Sequence, residues 1–177
     1  MTARVVVQRL VSLLVIGAMM AWLAWLVSTA RSKQDYVVTK AQMQTPLAAC
    51  TWTAMSASAV TTLGLDFEPT HAWSERKQVF IAFRTQPLVA PAFVQLRLAA
   101  VVGTGIEVDA DGGSPVRVSH ADELRLPLLQ HGGVHVVTIH VGRALPPHGQ
   151  DRRWLGMAIS AIRVCGTTGA VSASQAG

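Results

Sequence analysis

The chain has 177 residues, half of them hydrophobic, with a formal net charge of +5 at pH 7 and an isoelectric point near 10.0. A single core usually organises on the order of 100 to 200 residues, so this length leaves room for one domain and an anchor but not for a second independent core. Along the predicted strands the basic residues stand singly, and others flank an apolar run. With no cluster of them interleaved with aromatics, the charge argues against nucleic acid as a partner.

Residues 1–9 carry Arg4 and Arg9 and precede LVSLLVIGAMMAWLAWLVS at 10–28, a run without charge. Its length is close to the roughly 20 residues that cross about 30 Å of hydrocarbon as a helix, which predicts a single transmembrane helix after a short cytoplasmic N-terminus. A cleaved signal peptide is the alternative, because Ser28-Thr29-Ala30 resembles a cleavage site. Against it, the run exceeds the usual apolar region of about 7 to 15 residues, and Trp22 and Trp25 sit near its far end, where interfacial indoles belong. Arg31, Lys33 and Lys40 follow the span, so charge alone does not orient it.

Residues 29–47 are polar to mixed and read as a tether. The only cysteines, Cys50 and Cys165, bracket the domain expected over 48–165. A bridge between them would close nearly the whole domain into one loop and suits an oxidising compartment; two unrelated free thiols are the alternative. With the signal-like start, the pair favours a bacterial inner-membrane protein whose C-terminal domain lies in the periplasm.

From Cys50 onward the pattern has period two. FVQLRLAAV at 93–101 places Val94, Leu96 and Leu98 on one face and Gln95 and Arg97 on the other, as a half-buried strand requires. VFIAFR at 79–84, PVRVS at 115–119, LRLPL at 124–128, VHVVTIHV at 134–141 and SAIRVC at 160–165 are similar short runs. Turn chemistry separates them at Gln86-Pro87, Gly103-Thr104-Gly105, Asp111-Gly112-Gly113, Gly132-Gly133 and Pro146-Pro147,. Strand signals recurring about every 10 to 15 residues predict an all-β fold, an antiparallel β-sandwich of jelly-roll type, behind one helix. Residues 166–177 read as a disordered tail.

Three places carry a resemblance to a known family. Trp73-Ser74 is followed by a charged turn, the strand QVFIAF and Gln86-Pro87-Leu88; FVQLRLAAV leads through a Gly-containing turn to PVRVS; and DRRWLGMAISAIRV fits D-x-R-x-L-G followed by an amphipathic closing strand. The segment from about Gly64 to Val164 thus resembles a small galactose-binding-like β-sandwich domain attached to bacterial membrane glycosyltransferases and phosphoglycerol transferases of envelope glycan synthesis. The chain departs from that family in standing behind one membrane helix with no attached transferase, and in its cysteine pair. The resemblance implies a jelly roll serving glycan assembly.

Asp151, Arg152, Arg153 and Trp154 are the candidate ligand-binding residues. Carboxylates accept from sugar hydroxyls, guanidinium forks grip acidic groups and an indole offers a stacking surface. The competing roles are an ion pair fixing the loop and packing at the rim, and Trp73 reads as an anchor at the core edge. His131, His135 and His140 invite a metal, but His135 and His140 have opposite strand parity and no Cys or carboxylate completes a ligand set. These histidines are expected to face solvent or lie in loops, with no metal and no cofactor. No Gly-x-Ser-x-Gly or His-Glu-x-x-His motif and no phosphate-cradling loop is present, which argues against an enzyme.

The leading functional expectation is a non-catalytic, membrane-anchored accessory module that binds a membrane glycan-synthesis enzyme, of glycosyltransferase type, or its polysaccharide. The lipid bilayer would be met through residues 10–28. A structural or assembly subunit of another membrane complex, making protein contacts only, is the alternative; a periplasmic metal-handling protein is the third.

Overall fold

In the computed structural model, which describes residues 3–130, 132–149, 151 and 153–168, the chain divides into two units, Met1–Tyr36 and Val37–Gly177. The first belongs to helix α1, Ala3–Gln42. Its best apolar window has a mean hydropathy of 2.0 and none of it is buried; Leu14, Trp22 and Trp25 are 71%, 60% and 61% exposed. By length and composition this helix could cross a membrane.

The tether expected over 29–47 is instead helical as far as Gln42. Val37, Val38 and Ala41 recur at helical spacing, and Val37 and Ala41 are fully buried against Phe80, Ala82 and Val136 of the sandwich. The folded unit therefore begins at Val37 rather than at residue 48, because one apolar helix face has a sheet to cover.

Among the described residues eleven strands follow: β1 Thr53–Ala54, β2 Val60–Leu63, β3 Leu65–Phe67, β4 Ala72–Ser74, β5 Gln78–Thr85, β6 Leu88–Val101, β7 Thr104–Ala110, β8 Val116–Val118, β9 Glu123–Pro127, β10 Gly133–Arg143 and β11 Met157–Thr168. They form two antiparallel sheets. One has the order β3-β4-β11-β6-β9 with β1 also on β11, the other β2-β5-β10-β7-β8. Set aside the three short strands β1 to β3 and the orders become β4-β11-β6-β9 and β5-β10-β7-β8, the connectivity of an eight-stranded jelly roll. Strand β11 runs past the expected tail boundary at residue 166, and residues 169–177 lie outside the described residues.

The core is where period two placed it. Val94, Leu96, Leu98, Ile162 and Val164 from one sheet meet Ile81, Phe83, Ile106, Val137 and Ile139 from the other. Strand β5 lacks polar alternation for a physical reason. Val79, Ile81 and Phe83 face that core while Phe80 and Ala82 face the end of α1, so both faces are buried,. Residues 45–50 close one side of the sandwich. Leu47 N–H donates to Arg84 O at 2.8 Å and Cys50 N–H to Val164 O at 2.7 Å, which ties both sheets to one segment. Cys50 and Cys165 form a disulfide across it.

Gly156, the last residue of the D-x-R-x-L-G pattern, sits where β4, β10 and β11 meet. A Cβ there would stand 2.5 Å from Ser74 Oγ and 2.9 Å from Val141 Cγ2, while Ser74 Oγ already accepts the Met157 N–H at 2.8 Å. Overpacking such a site typically costs about 1 to 3 kcal/mol. Gly156→Ala is therefore expected to lower the urea midpoint by a corresponding amount; an unchanged midpoint would show that the three strands do not pack this closely.

Candidate functional site

The two outer faces of the sandwich differ. That of the five-stranded sheet receives Val37 and Ala41, whereas strand alternation gives the six-stranded sheet an outer face of aromatic and polar side chains. Trp73 lies between the buried Ala72 and Ser74, Arg97 between Leu96 and Leu98, and Arg163 between Ile162 and Val164. Register then brings scattered residues together: Arg163 is opposite Gln95, Gln95 opposite Arg125, and Arg97 opposite Glu123.

At one end of this face Arg153 gathers three carboxylates. Its guanidinium reaches Asp66 Oδ2 at 2.8 Å, Glu68 Oε1 at 2.7 Å and Asp151 Oδ2 at 2.8 Å. Glu68 Oε2 also meets His71 Nε2 at 3.2 Å, and the His71 ring stands edge-on to Trp73 with centroids 5.5 Å apart. The fork of Arg153 is thus occupied within the protein and is not open to an acidic ligand. Trp154 beside it is 55% exposed; Arg152 lies outside the described residues. Asp66 on β3 and Glu68, one residue past its end, carry no sequence signal as partners of Arg153, which lies more than 80 residues downstream.

The side chain and backbone N–H of Arg153 hold the Asp151 carboxyl down, to about 2 from an ordinary 3.8, and the same contacts push the Arg153 guanidinium further from deprotonation. A depressed carboxyl pKa contributes stability that is present above about pH 4 and lost as pH falls towards 2. Asp151→Asn is accordingly expected to flatten the fall in stability across that window, read from urea midpoints at a series of pH values. A parallel fall in both proteins would show that the pair contributes nothing.

At the other end, Trp52 lies within reach of two guanidiniums. Arg97 Cζ is 4.1 Å and Arg163 Cζ 4.3 Å from its ring centroid. Arg125 Cζ stacks over Phe93 at 3.4 Å in the same way. Glu123 touches Arg97 at 3.4 Å and Arg163 at 3.5 Å, and Arg163 Nε donates to Gln95 Oε1 at 2.6 Å. Basic residues that stand singly in the sequence therefore do form a cluster interleaved with aromatics, contrary to the expectation. Antiparallel pairing assembles it across three strands, which no one-dimensional spacing displays.

One histidine also departs from expectation, while His140 meets it. His140 is exposed and His135 fully buried, because His135 shares the inward parity of Val137, Ile139 and Val141. Its Nε2 pairs with Thr85 Oγ1 at 3.0 Å and its Nδ1 with Asp111 Oδ2 at 2.9 Å. Asp111 Oδ1 accepts the Val136 N–H at 3.1 Å. Thr85 also lines a cavity of about 260 Å³ under residues 45–49. His131 lies outside the described residues, among which no three His, Cys, Asp or Glu side chains are placed to hold a metal ion.

No protein-family model matches this chain, and no curated protein matches it. Among solved structures it is similar to chitosan-binding module 1 of a chitosanase/glucanase from Paenibacillus sp. IK-5, with 12% identity and a TM-score of 0.34 over 60% of this chain and 93% of that one. A likeness this distant transfers neither fold nor ligand, and the fold rests on the strand order and register described above.

Proposed function

We propose that this protein is a non-catalytic accessory module that binds glycan on the open face of its six-stranded sheet, anchored by α1 in the bacterial inner membrane with the sandwich in the periplasm. One observation carries the reading: Trp52 and Trp73 share that face with Gln95, Glu68, Arg97 and Arg163. Indole rings stack on the apolar faces of sugars, while amide, carboxylate and guanidinium groups answer their hydroxyls. The disulfide supports an oxidising compartment,. A membrane glycan-synthesis enzyme of glycosyltransferase type is the proposed partner, with the sandwich holding nascent polysaccharide beside it.

The test is purification of the tagged full-length chain from its native membrane in mild detergent, with the co-purifying proteins identified by mass spectrometry. A glycosyltransferase or glycan-modifying enzyme is the expected companion. Recovery of an unrelated membrane assembly, with no polysaccharide bound, would replace the reading with that of a structural subunit making protein contacts only.

A further inference from the structure

We infer that the Trp52, Arg97 and Arg163 cluster is a subsite for a carboxylate-bearing sugar of a linear acidic polysaccharide, an inference that rests on the open face being the glycan-binding one. The two ends of this face treat their arginines differently. Arg153 is held by three carboxylates at 2.7 to 2.8 Å. Arg97 and Arg163 share the single carboxylate of Glu123 at 3.4 and 3.5 Å, distances longer than the 2.7 to 2.9 Å typical of charge-assisted bonds. Arg125, stacked on Phe93, has no ion-pair or hydrogen-bond partner among the described residues.

Three guanidiniums against the one carboxylate of Glu123 leave an excess of two positive charges. Asp122, the residue before β9, accepts the Glu123 N–H through Oδ1 at 2.7 Å and makes no ion pair with these arginines among the described residues. Stacking on Trp52 fixes the planes of the two forks beforehand, so a planar carboxylate can be gripped by two parallel bonds with little further ordering. Such a ligand would take over the long contacts now made by Glu123.

The layout favours a polymer over a lone anionic headgroup. From Arg125 through Gln95 and Arg163 to Trp52 the groups cross four neighbouring strands, about 14 Å at the usual strand spacing, which suits charges repeated along a chain with ring faces between them. The Arg153 end, with three carboxylates to one guanidinium, repels ligand carboxylates and leaves Trp73 to neutral sugars.

The experiment uses the full-length protein in detergent micelles, with polygalacturonate, the neutral glucan dextran and soluble glycerol phosphate as probes, and binding read by calorimetry. Polygalacturonate is expected to bind at least about tenfold tighter than dextran. Arg97→Gln with Arg163→Gln should remove about that factor for polygalacturonate alone, and Glu123→Gln, which removes the competing carboxylate, should tighten it severalfold. Equal binding of both polymers would overturn the inference and leave the glycan reading standing, whereas binding of neither would overturn the glycan reading itself. Binding of glycerol phosphate without either polymer would reassign the cluster to anionic headgroups, and a Glu123→Gln variant that folds and binds more weakly would show that Glu123 builds the cluster rather than competes in it.

Discussion

Asp111→Ala is expected to lower the stability of the sandwich by about 3 kcal/mol. The side chain is 3% exposed and holds two buried donors at once, His135 Nδ1 at 2.9 Å and the Val136 N–H at 3.1 Å. Alanine satisfies neither, and His135 is fully buried and stacked on Phe83 at 5.5 Å. Position 111 adds a backbone reason. It has φ +54° in an Asp-Gly turn, a conformation that Asp tolerates better than Ala because its short polar side chain bonds locally. Urea denaturation of the full chain in detergent measures the loss. A change below about 1 kcal/mol would mean that the Thr85, His135 and Asp111 chain adds no net stability. Thr85→Val, which removes one neutral partner and keeps the shape, should cost only about 1 kcal/mol by comparison.

Reducing the disulfide is the second large effect. Cys50 and Cys165 are separated by 115 residues, and in the chain-entropy model a loop on the order of 100 residues corresponds to about 4.7 kcal/mol. The bridge also pins residues 45–50, whose backbone bonds to Arg84 and Val164 connect the two sheets. Melting with and without dithiothreitol, and of the Cys50→Ala with Cys165→Ala chain, is expected to show losses of several kcal/mol that agree with each other. Melts that coincide in both redox states would show that the backbone seam suffices without the sulfur bond.

Alternation in FVQLRLAAV, VHVVTIHV and SAIRVC made the long strands legible, since one-sided burial writes itself into sequence with period two. Strands β1 to β4 span only two to four residues each, too few for a period to register, and Trp52, immediately before β1, carries no strand signal for that reason. The end of α1 reads as tether because Val37, Val38 and Ala41 make only a short apolar stripe among polar residues. Its meaning depends on Phe80 and Ala82 lying about 40 residues downstream. The site suffered most, because Arg97, Glu123, Arg125 and Arg163 become neighbours only through strand register. Parity could place each of them on an outer face, but no local signal says which strands lie side by side.

Hydroxyl-radical footprinting of the full-length protein in detergent, with and without polysaccharide, tests most directly whether the open face of the six-stranded sheet binds glycan. Protection of Trp52 and Trp73 on addition of polymer, with Trp22 and Trp25 of α1 oxidised as before, is the predicted result. Unchanged oxidation at Trp52 and Trp73 with polymer demonstrably bound, or no binding by any polymer, would contradict it.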